Sequence, residues 1–259
     1  MAFKNILTQA LHPNRMAVMA KKVGRRLADD RGLLSPRENL AWIEANCSNF
    51  AEMAVNFDGS LWKESEEVAT QLEARAEAVL RSIEYELGGG GVYRFLYFIT
   101  RYLQPACVVE TGVAAGFSSY AFLAAIERNG KGCLYSSDFP YFRLPQPERL
   151  IGVLVEDSLK KNWRLFIEGD EANLPQILAE IAEIDIFHYD SDKSYRGRQF
   201  AMSLVAPRLA AGGIILMDDI QDNSFFHDYI IQQSVPHWRV FEFHGKYVGM
   251  IGELKPAQK

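Results

Sequence analysis

Apolar residues recur three or four positions apart over the first third of the chain and in short unbroken runs over the remainder, so the change of period divides the sequence. Between Leu61 and Leu87 they fall at Leu61, Val68, Leu72, Ala76, Leu80, Ile83 and Leu87 on a charged background, the spacing of an amphipathic helix with one buried face. Ahead of it, Ser35-Pro36-Arg37-Glu38 reads as a helix start: Ser35 caps, Pro36 suits the first turn, and Glu38 reaches back to close a capping box. Four consecutive glycines at 88–91 then break the helical pattern. They serve either as a hinge that ends the helix or as a backbone free to bend closely over a ligand. A further helix is predicted over 92–103, leading through Pro105 into the second half.

There the runs ACVVE (106–110), GCLYSSD (132–138), WRLFIEG (163–169), IDIFHYD (184–190) and GGIILMDD (212–219) alternate with helical stretches. Strands that are apolar on both faces and alternate with helices predict a doubly wound, Rossmann-like, mostly parallel sheet. The tail over 237–254 carries two β-rich runs around His244-Gly245-Lys246 and reads as a C-terminal antiparallel hairpin. The predicted organisation is a helical extension over 1–87 followed by an α/β domain over 88–259.

Composition narrows the function. The chain has 259 residues, 48% hydrophobic and 24% charged, with a net charge of −5, which is ample for a buried core and argues against a nucleic-acid partner. Cys47, Cys107 and Cys133 are far apart, and the last two sit in apolar runs, so reduced, packed thiols and a cytoplasmic setting are expected. No apolar run exceeds strand length and Pro13 interrupts the N-terminal one, so neither an integral membrane segment nor a secretory signal is expected. The first 28 residues carry Lys4, Arg15, Lys21, Lys22, Arg25 and Arg26 and no acid. They read as a solvated helix face, or as an arm that touches an acidic partner, a membrane surface or another subunit.

In an open α/β sheet, ligands bind beyond the carboxyl ends of the strands. Those ends deliver Glu110, Asp138, Asp170, Asp190 and the pair Asp218-Asp219, a concentration of acid too regular for capping and solvation alone. The first strand runs into ETGVAAGFSS, where Gly112 and Gly116 permit a tight turn and close backbone approach ahead of a helix beginning near Ser118. Such a turn by itself serves dinucleotides and other nucleosides alike. Asp138, 22 residues after Gly116, is placed to accept both hydroxyls of a ribose, which points to an adenosine-type ligand.

Five segments together, VVETGVAAGFSS (108–119), LYSSD (134–138), FIEGDEANLPQIL (166–178), IDIFHYDSDKSY (184–195) and LAAGGIILMDDIQDN (209–223), resemble class I S-adenosylmethionine-dependent methyltransferases in order and spacing. They look most like the metal-dependent catechol, caffeoyl-CoA and antibiotic-tailoring O-methyltransferases. The resemblance spans roughly 85–254 and leaves the N-terminal helices unmatched. It implies that Glu110, Gly112, Gly116 and Ser118 hold the methionine part of the cofactor, that Asp138 binds the ribose, and that Asp170 and Glu171 lie at the adenine. It also implies that Asp190, Asp218 and Asp219 bind a divalent ion such as Mg²⁺, Mn²⁺ or Ca²⁺, with Asp190 also bordering the cofactor. The chain has Asp-Asp where the catechol enzymes have Asp-Asn, which bears on the substrate. Converging carboxylates repel one another, and a hard dication would relieve this while acidifying a bound hydroxyl.

Lys193, three residues after Asp190, matches the catalytic lysine of the catechol-type enzymes and is the implied base; without the resemblance it reads as a loop lysine paired with Asp192. His188 is more often a packed core histidine but stands in reserve as a base, and His227 is a weaker candidate. The aromatic run FPYFRLP (139–145) falls in a long connection that reads equally as a substrate lid or as packing against the helices. The implied activity is methylation of a hydroxyl on a small molecule, catechol-like, sugar or secondary metabolite, by a protein whose relatives are homo-oligomers. Two alternatives stand beside it: a cofactor-binding protein without methyl transfer, and a nicotinamide-dependent oxidoreductase. The latter calls for a third glycine where this chain has Phe117 or Ser118, and gives no reason for Asp218-Asp219.

Overall fold

The computed structural model describes residues 16, 18–21, 24–25, 32–141 and 144–255. Helix α1 (Pro36–Asn46) opens with the capping box read from the sequence: the Glu38 N–H donates to Ser35 Oγ at 3.3 Å and the Ser35 N–H to Glu38 Oε2 at 2.9 Å. A two-residue strand, β1 (Cys47–Ser48), leads into the long helix α2 (Phe50–Leu80).

The helix expected over Leu61 to Leu87 therefore begins earlier and ends earlier. Asp58 explains the start. Its backbone is non-helical (φ −159°, ψ 96°) and its Oδ1 accepts from the Leu61 N–H at 2.9 Å and from Ser60 Oγ at 2.7 Å, so the portion from Gly59 onward is capped as a helix of its own. The buried face is Trp62, Ser65, Ala69, Leu72 and Ala76, with Leu61, Val68 and Leu80 at its margin.

After the glycines at 88–91 come α3 (Tyr93–Leu103), β2 (Cys107–Thr111), α4 (Phe117–Asn129), β3 (Cys133–Ser137), β4 (Trp163–Phe166), α5 (Asp170–Glu180) and β5 (Ile184–Tyr189). The chain continues through α6 (Tyr195–Val205), β6 (Leu209–Met217), α7 (Phe225–Gln232) and the hairpin β7 (Trp238–Phe243) with β8 (Lys246–Ile251). All lie in one eight-stranded sheet of order β1-β7-β8-β6-β5-β2-β3-β4, parallel except for β8, which is antiparallel to both neighbours. The mostly parallel, Rossmann-like sheet and its closing hairpin are thus as expected. β1 was not foreseen: Cys47 and Ser48 pair with Val240 and Phe241, and two residues carry no periodicity to read.

Each face of the sheet has its own core. On one side α2, α3 and α4 pack Trp62, Leu72, Phe95, Phe98 and Phe122; on the other α1, α5, α6 and α7 pack Ile43, Ile177, Met202 and Phe226. Each such large side chain contributes about 1.5–3 kcal/mol by leaving water. Strand order reverses between β2 and β5, so the crevice beyond their carboxyl ends is the natural ligand site. Among its described residues the long connection between β3 and β4 contains the short 3₁₀ turns Pro147–Leu150 and Lys160–Asn162 and buries Leu154 and Val155. It packs back on the β2–α4 turn, with the Gly152 N–H donating to the Ala114 carbonyl at 2.9 Å and the Leu154 N–H to that of Ala115 at 3.0 Å. Phe142 and Arg143 of the aromatic run lie outside the described residues, as do Lys4, Arg15, Lys22 and Arg26 of the basic segment. Among the described residues no helix is long and apolar enough to cross a membrane, and the three cysteines are free.

Candidate active site at the switch point

The β2–α4 turn depends on its two glycines. Gly112 (φ +85°) lies so close to β5 that a Cβ would stand 2.2 Å from the Asp190 carbonyl oxygen; Gly116 (φ +99°) would place one 2.8 Å from the Gly152 Cα. No other residue fits either position. The turn is then pinned to the second strand, since the Ala114 N–H donates to Asp138 Oδ2 at 2.9 Å and the Phe139 N–H to Oδ1 at 2.7 Å. Asp138 therefore stands at the mouth of the turn.

Glu110 lies beneath the turn, fully enclosed. Its Oε1 accepts from Ser136 Oγ at 2.8 Å and from Ser119 Oγ, and Ser118 turns its hydroxyl to the same carboxyl. Burial pushes this carboxyl up to about 7 against the pull of the three serines. Glu110 and Ser118 support the floor of the site from inside and have no face open to the cleft. Asp170 accepts from Ser137 Oγ at 2.6 Å and from Ser191 Oγ, which fixes it between the ends of β3 and β5. Glu171 is held from outside by Lys21 and Arg25.

The β5 and β6 ends are built differently. The Asp190 N–H donates to the Thr111 carbonyl and the Asp218 N–H to that of Tyr189, both at 2.9 Å, so the ladder itself sets the two acids side by side. Asp218 is 3% exposed, and among the described residues no hydrogen-bond donor meets its Oδ1. Burial and the neighbouring charge of Asp190 push its carboxyl up to about 7. Lys193 Nζ lies 2.9 Å from Asp190 Oδ1, at an angle that gives an ion pair but no hydrogen bond, and it contacts Asp219 Oδ2 as well. Asp219 takes a left-handed backbone (φ +52°), and its other oxygen meets Gln221 Nε2 at 3.1 Å and Lys246 Nζ at 3.4 Å.

The three acids implied as metal ligands are therefore not brought to one point. Asp219 turns to Lys193, Lys246 and Gln221, and among the described residues no group of three or more His, Cys, Asp or Glu side chains is arranged to hold a metal. The oxygen chemistry of Asp190 and Asp218 suits a hard cation, and the donorless Asp218 Oδ1 is an atom that such an ion would satisfy.

His188 lies fully buried on the α4 side of β5, edge-on to Phe122 with ring centroids 5.8 Å apart, and neither ring nitrogen has a partner. Burial, and then the charge of Lys193, pushes it down to about 3, so the ring is neutral. It is a packed core histidine with no access to the cleft. His227 bonds its Nδ1 to Asp228 at 2.8 Å, away from the acids at the strand ends.

Two residues, Arg198 and Asn223, went unrecognised in the sequence. Arg198, fully buried on α6, donates to the Asp218 carbonyl at 3.0 Å, the Asp219 carbonyl at 2.8 Å and the Lys193 carbonyl at 3.4 Å, and thus braces both acidic loops from behind. Asn223 donates to the same Lys193 carbonyl at 2.8 Å. Across the cleft, a Cβ on Gly91 would stand 2.3 Å from Asp218 Oδ2, and the Gly88 N–H reaches the Tyr141 hydroxyl at 3.3 Å. The glycine run is therefore a cover laid over the acids, and Tyr141 joins it there. Tyr141 is raised by burial and by the charges of Asp138 and Asp190, which it faces. Nothing in local periodicity marks Arg198; only its position four residues after the Ser194 cap ties it to the site.

The Methyltransferase domain family model matches residues 109–220, the span from the end of β2 to just past Asp219. No curated protein sequence matches the chain. Solved structures of similar fold include an O-methyltransferase from Bacillus cereus in complex with SAH, with a TM-score of 0.55 and 13% identity over 71% of this chain and 91% of that one. The O-methyltransferase TomG from Streptomyces achromogenes, involved in tomaymycin synthesis and complexed with SAM, has a TM-score of 0.56 and 13% identity over 70% and 88%. A methyltransferase from Geobacter sulfurreducens has a TM-score of 0.51 and 17% identity over 70% and 89%.

Proposed function

Residues 109–220 being a methyltransferase domain on the class I, S-adenosylmethionine-dependent O-methyltransferase fold, we propose that the enzyme methylates a hydroxyl group of a small molecule. The observation that carries this reading is the acid pair Asp190 and Asp218, set by the β-ladder beside the cofactor turn and left with an enclosed oxygen that no donor meets. Unpaired charge at a cleft is where a reacting proton or cation is handled.

The cofactor would lie along the 112–116 turn, with its ribose at Asp138 and its adenine at Asp170 and Glu171. The acceptor would enter beneath the 88–91 cover and Tyr141, its hydroxyl directed at Asp190 and Asp218. A divalent cation such as Mg²⁺, Mn²⁺ or Ca²⁺ would be held by Asp190 and Asp218 and would supply Lewis-acid stabilisation of the acceptor oxygen. Lys193, which contacts Asp190 and Asp219, would then be the group that takes the hydroxyl proton. The oxygen takes the methyl carbon in line as the C–S bond breaks, the electron pair remains on sulfur, and S-adenosylhomocysteine leaves.

A second reading is favoured by the position of Lys193 between Asp190 and Asp219. Here the lysine is the resident cation, and Asp218, pushed up to about 7, accepts the proton itself, a value well matched to base catalysis near neutrality. The acceptors best suited to either reading are diols and catechols. We assign residues 1–87 to the roof and to subunit contacts, and place the enzyme in the cytoplasm on account of its free cysteines.

The test is formation of S-adenosylhomocysteine from S-adenosylmethionine over a panel of catechols, sugar diols and phenols, with and without a chelator. Turnover lost to the chelator and restored by Mg²⁺ supports the first reading, and chelator-indifferent turnover supports the second. Cofactor binding with no methylation of any hydroxyl would reject both.

A further inference from the structure

Two of the N-terminal cations, Lys21 and Arg25, have partners within their own chain. Arg25 donates from Nη1 to Asp192 Oδ2 at 2.8 Å and from Nη2 to Glu171 Oε1, while Lys21 Nζ reaches Glu171 Oε2 at 2.6 Å. Arg25 is 22% exposed and Asp192 14%, so this pair is largely withdrawn from water, whereas Lys21 at 61% is not. Val18 lies against the same rim: a Cβ on Gly169 would meet Val18 Cγ1 at 3.3 Å and Phe139 Cδ2 at 3.5 Å. A small cavity of about 30 Å³ lies between Val18, Lys21 and Arg25 and the rim at Asp170, Glu171 and Asp192.

The two acids that Arg25 joins belong to different parts of the site. Glu171 follows Asp170 in the first turn of α5, at the end assigned to adenine. Asp192 lies between Asp190 and Lys193. Its Oδ1 accepts from the Ser194 N–H at 3.2 Å, and its carboxyl rests on Gly197, where a Cβ would come within 2.6 Å of it. A change at Arg25 is thus transmitted to the loop that carries the acid and the lysine.

We propose that Arg25 is a positioning residue of the cofactor site: by tying Glu171 to Asp192 it seals the adenine end with the N-terminal segment and slows release of the nucleoside. The proposal rests on the cofactor placement given above. It makes two demands. Because the tie is ionic and partly exposed, salt must loosen it. Because the guanidinium forks to two carboxylates, lysine can replace it only in part.

The probe is S-adenosylhomocysteine, with its dissociation rate followed by stopped flow on the full-length protein at salt from about 0.05 to about 0.5 M, where screening shortens from beyond to below 10 Å. Arg25→Ala should raise the rate about tenfold at low salt. Arg25→Lys should recover about half of that effect on a logarithmic scale and Lys21→Ala should change it less than about twofold, consistent with the greater exposure of Lys21. Wild-type release should quicken with salt and Arg25→Ala release should not. A purely structural role would lower the melting temperature and leave these rates and their salt dependence alone. Equal rates in wild type and Arg25→Ala at every salt would overturn the proposal by itself. Wild-type protein that binds no S-adenosylhomocysteine would overturn the cofactor placement and this proposal together. If Arg25→Ala does not fold, Arg25→Lys and the wild-type salt dependence carry the same test.

Discussion

On the β2–β3 side of the crevice, Asp138 takes hydrogen bonds from two backbone N–H groups and Asp170 from two serine hydroxyls, whereas on the β5–β6 side, among the described residues, Asp218 keeps an enclosed oxygen with no donor and Asp190 meets the charge of Lys193. In the first arrangement Asp138 and Asp170 are met by neutral donors fixed by the fold, while Glu110 beneath them keeps one buried oxygen without a donor among the described residues. The second is left open and is held in place from behind, by Arg198 and Asn223 acting on backbone carbonyls. The difference teaches where binding and where chemistry reside: a finished set of hydrogen bonds orients a ligand at little further cost, and an unfinished one has capacity left for a reacting group.

The strongest way to break this comparison is to empty the open side. Asp218→Asn should lower methyl transfer by at least about a hundredfold with S-adenosylhomocysteine affinity within about twofold of wild type; a matched loss of affinity would merge the two halves into one. Arg198→Met removes the brace and leaves two loop carbonyls without their buried donor, so unfolding in urea should show a loss of about 3 kcal/mol. Near-native stability would mean that the acidic loops hold themselves. On the finished side, Asp138→Ala should weaken S-adenosylhomocysteine binding by about ten- to a hundredfold through lost charge-assisted hydrogen bonds, and calorimetry showing no change would remove the ribose assignment.

The smallest expected effect concerns Glu110, enclosed and still protonated up to about 7 in the folded protein against 4.5 as an ordinary glutamate. Between these values the unfolded chain has released the proton and the folded one keeps it, so this group's contribution to stability is full below about 4.5 and is lost as the pH rises to about 7. Thermal melting across that window should show the decline, and Glu110→Gln should flatten it. An unchanged slope in the variant would place the titration elsewhere.

The frame was readable because parallel strands are apolar throughout and their acids stand at the ends; this gave β2 to β6, the hairpin and the locations of Asp138, Asp190 and Asp218. Contacts made across long sequence distances were not readable. Arg198 sits in a stretch of mixed polarity on α6, and nothing local shows that it is buried under Asp218 and Asp219. The glycines at 88–91 raised a choice between hinge and cover that only their approach to Asp218 and Tyr141 decides. The sequence did not show that a cation of the chain itself stands among the acids: Lys193 meets both Asp190 and Asp219, and Asp219, on a left-handed backbone, also meets Lys246. The excess of N-terminal cations was plain in the sequence, but not that two of them, Lys21 and Arg25, meet Glu171 and Asp192 of the same chain.

One small element bears on how such molecules coexist at high concentration. The outermost ladder beside the hairpin is occupied by Cys47 and Ser48, and the Ser48 hydroxyl donates to the Val240 carbonyl at 3.0 Å. A neighbouring chain seeking to add a strand on that flank finds two residues to pair with before the backbone turns away into a helix, too few to hold it. The opposite flank, β4, is four residues long and places Arg164 at its exposed rim. Both flanks of a broad sheet are thereby closed to intermolecular growth, one by brevity and the other by charge.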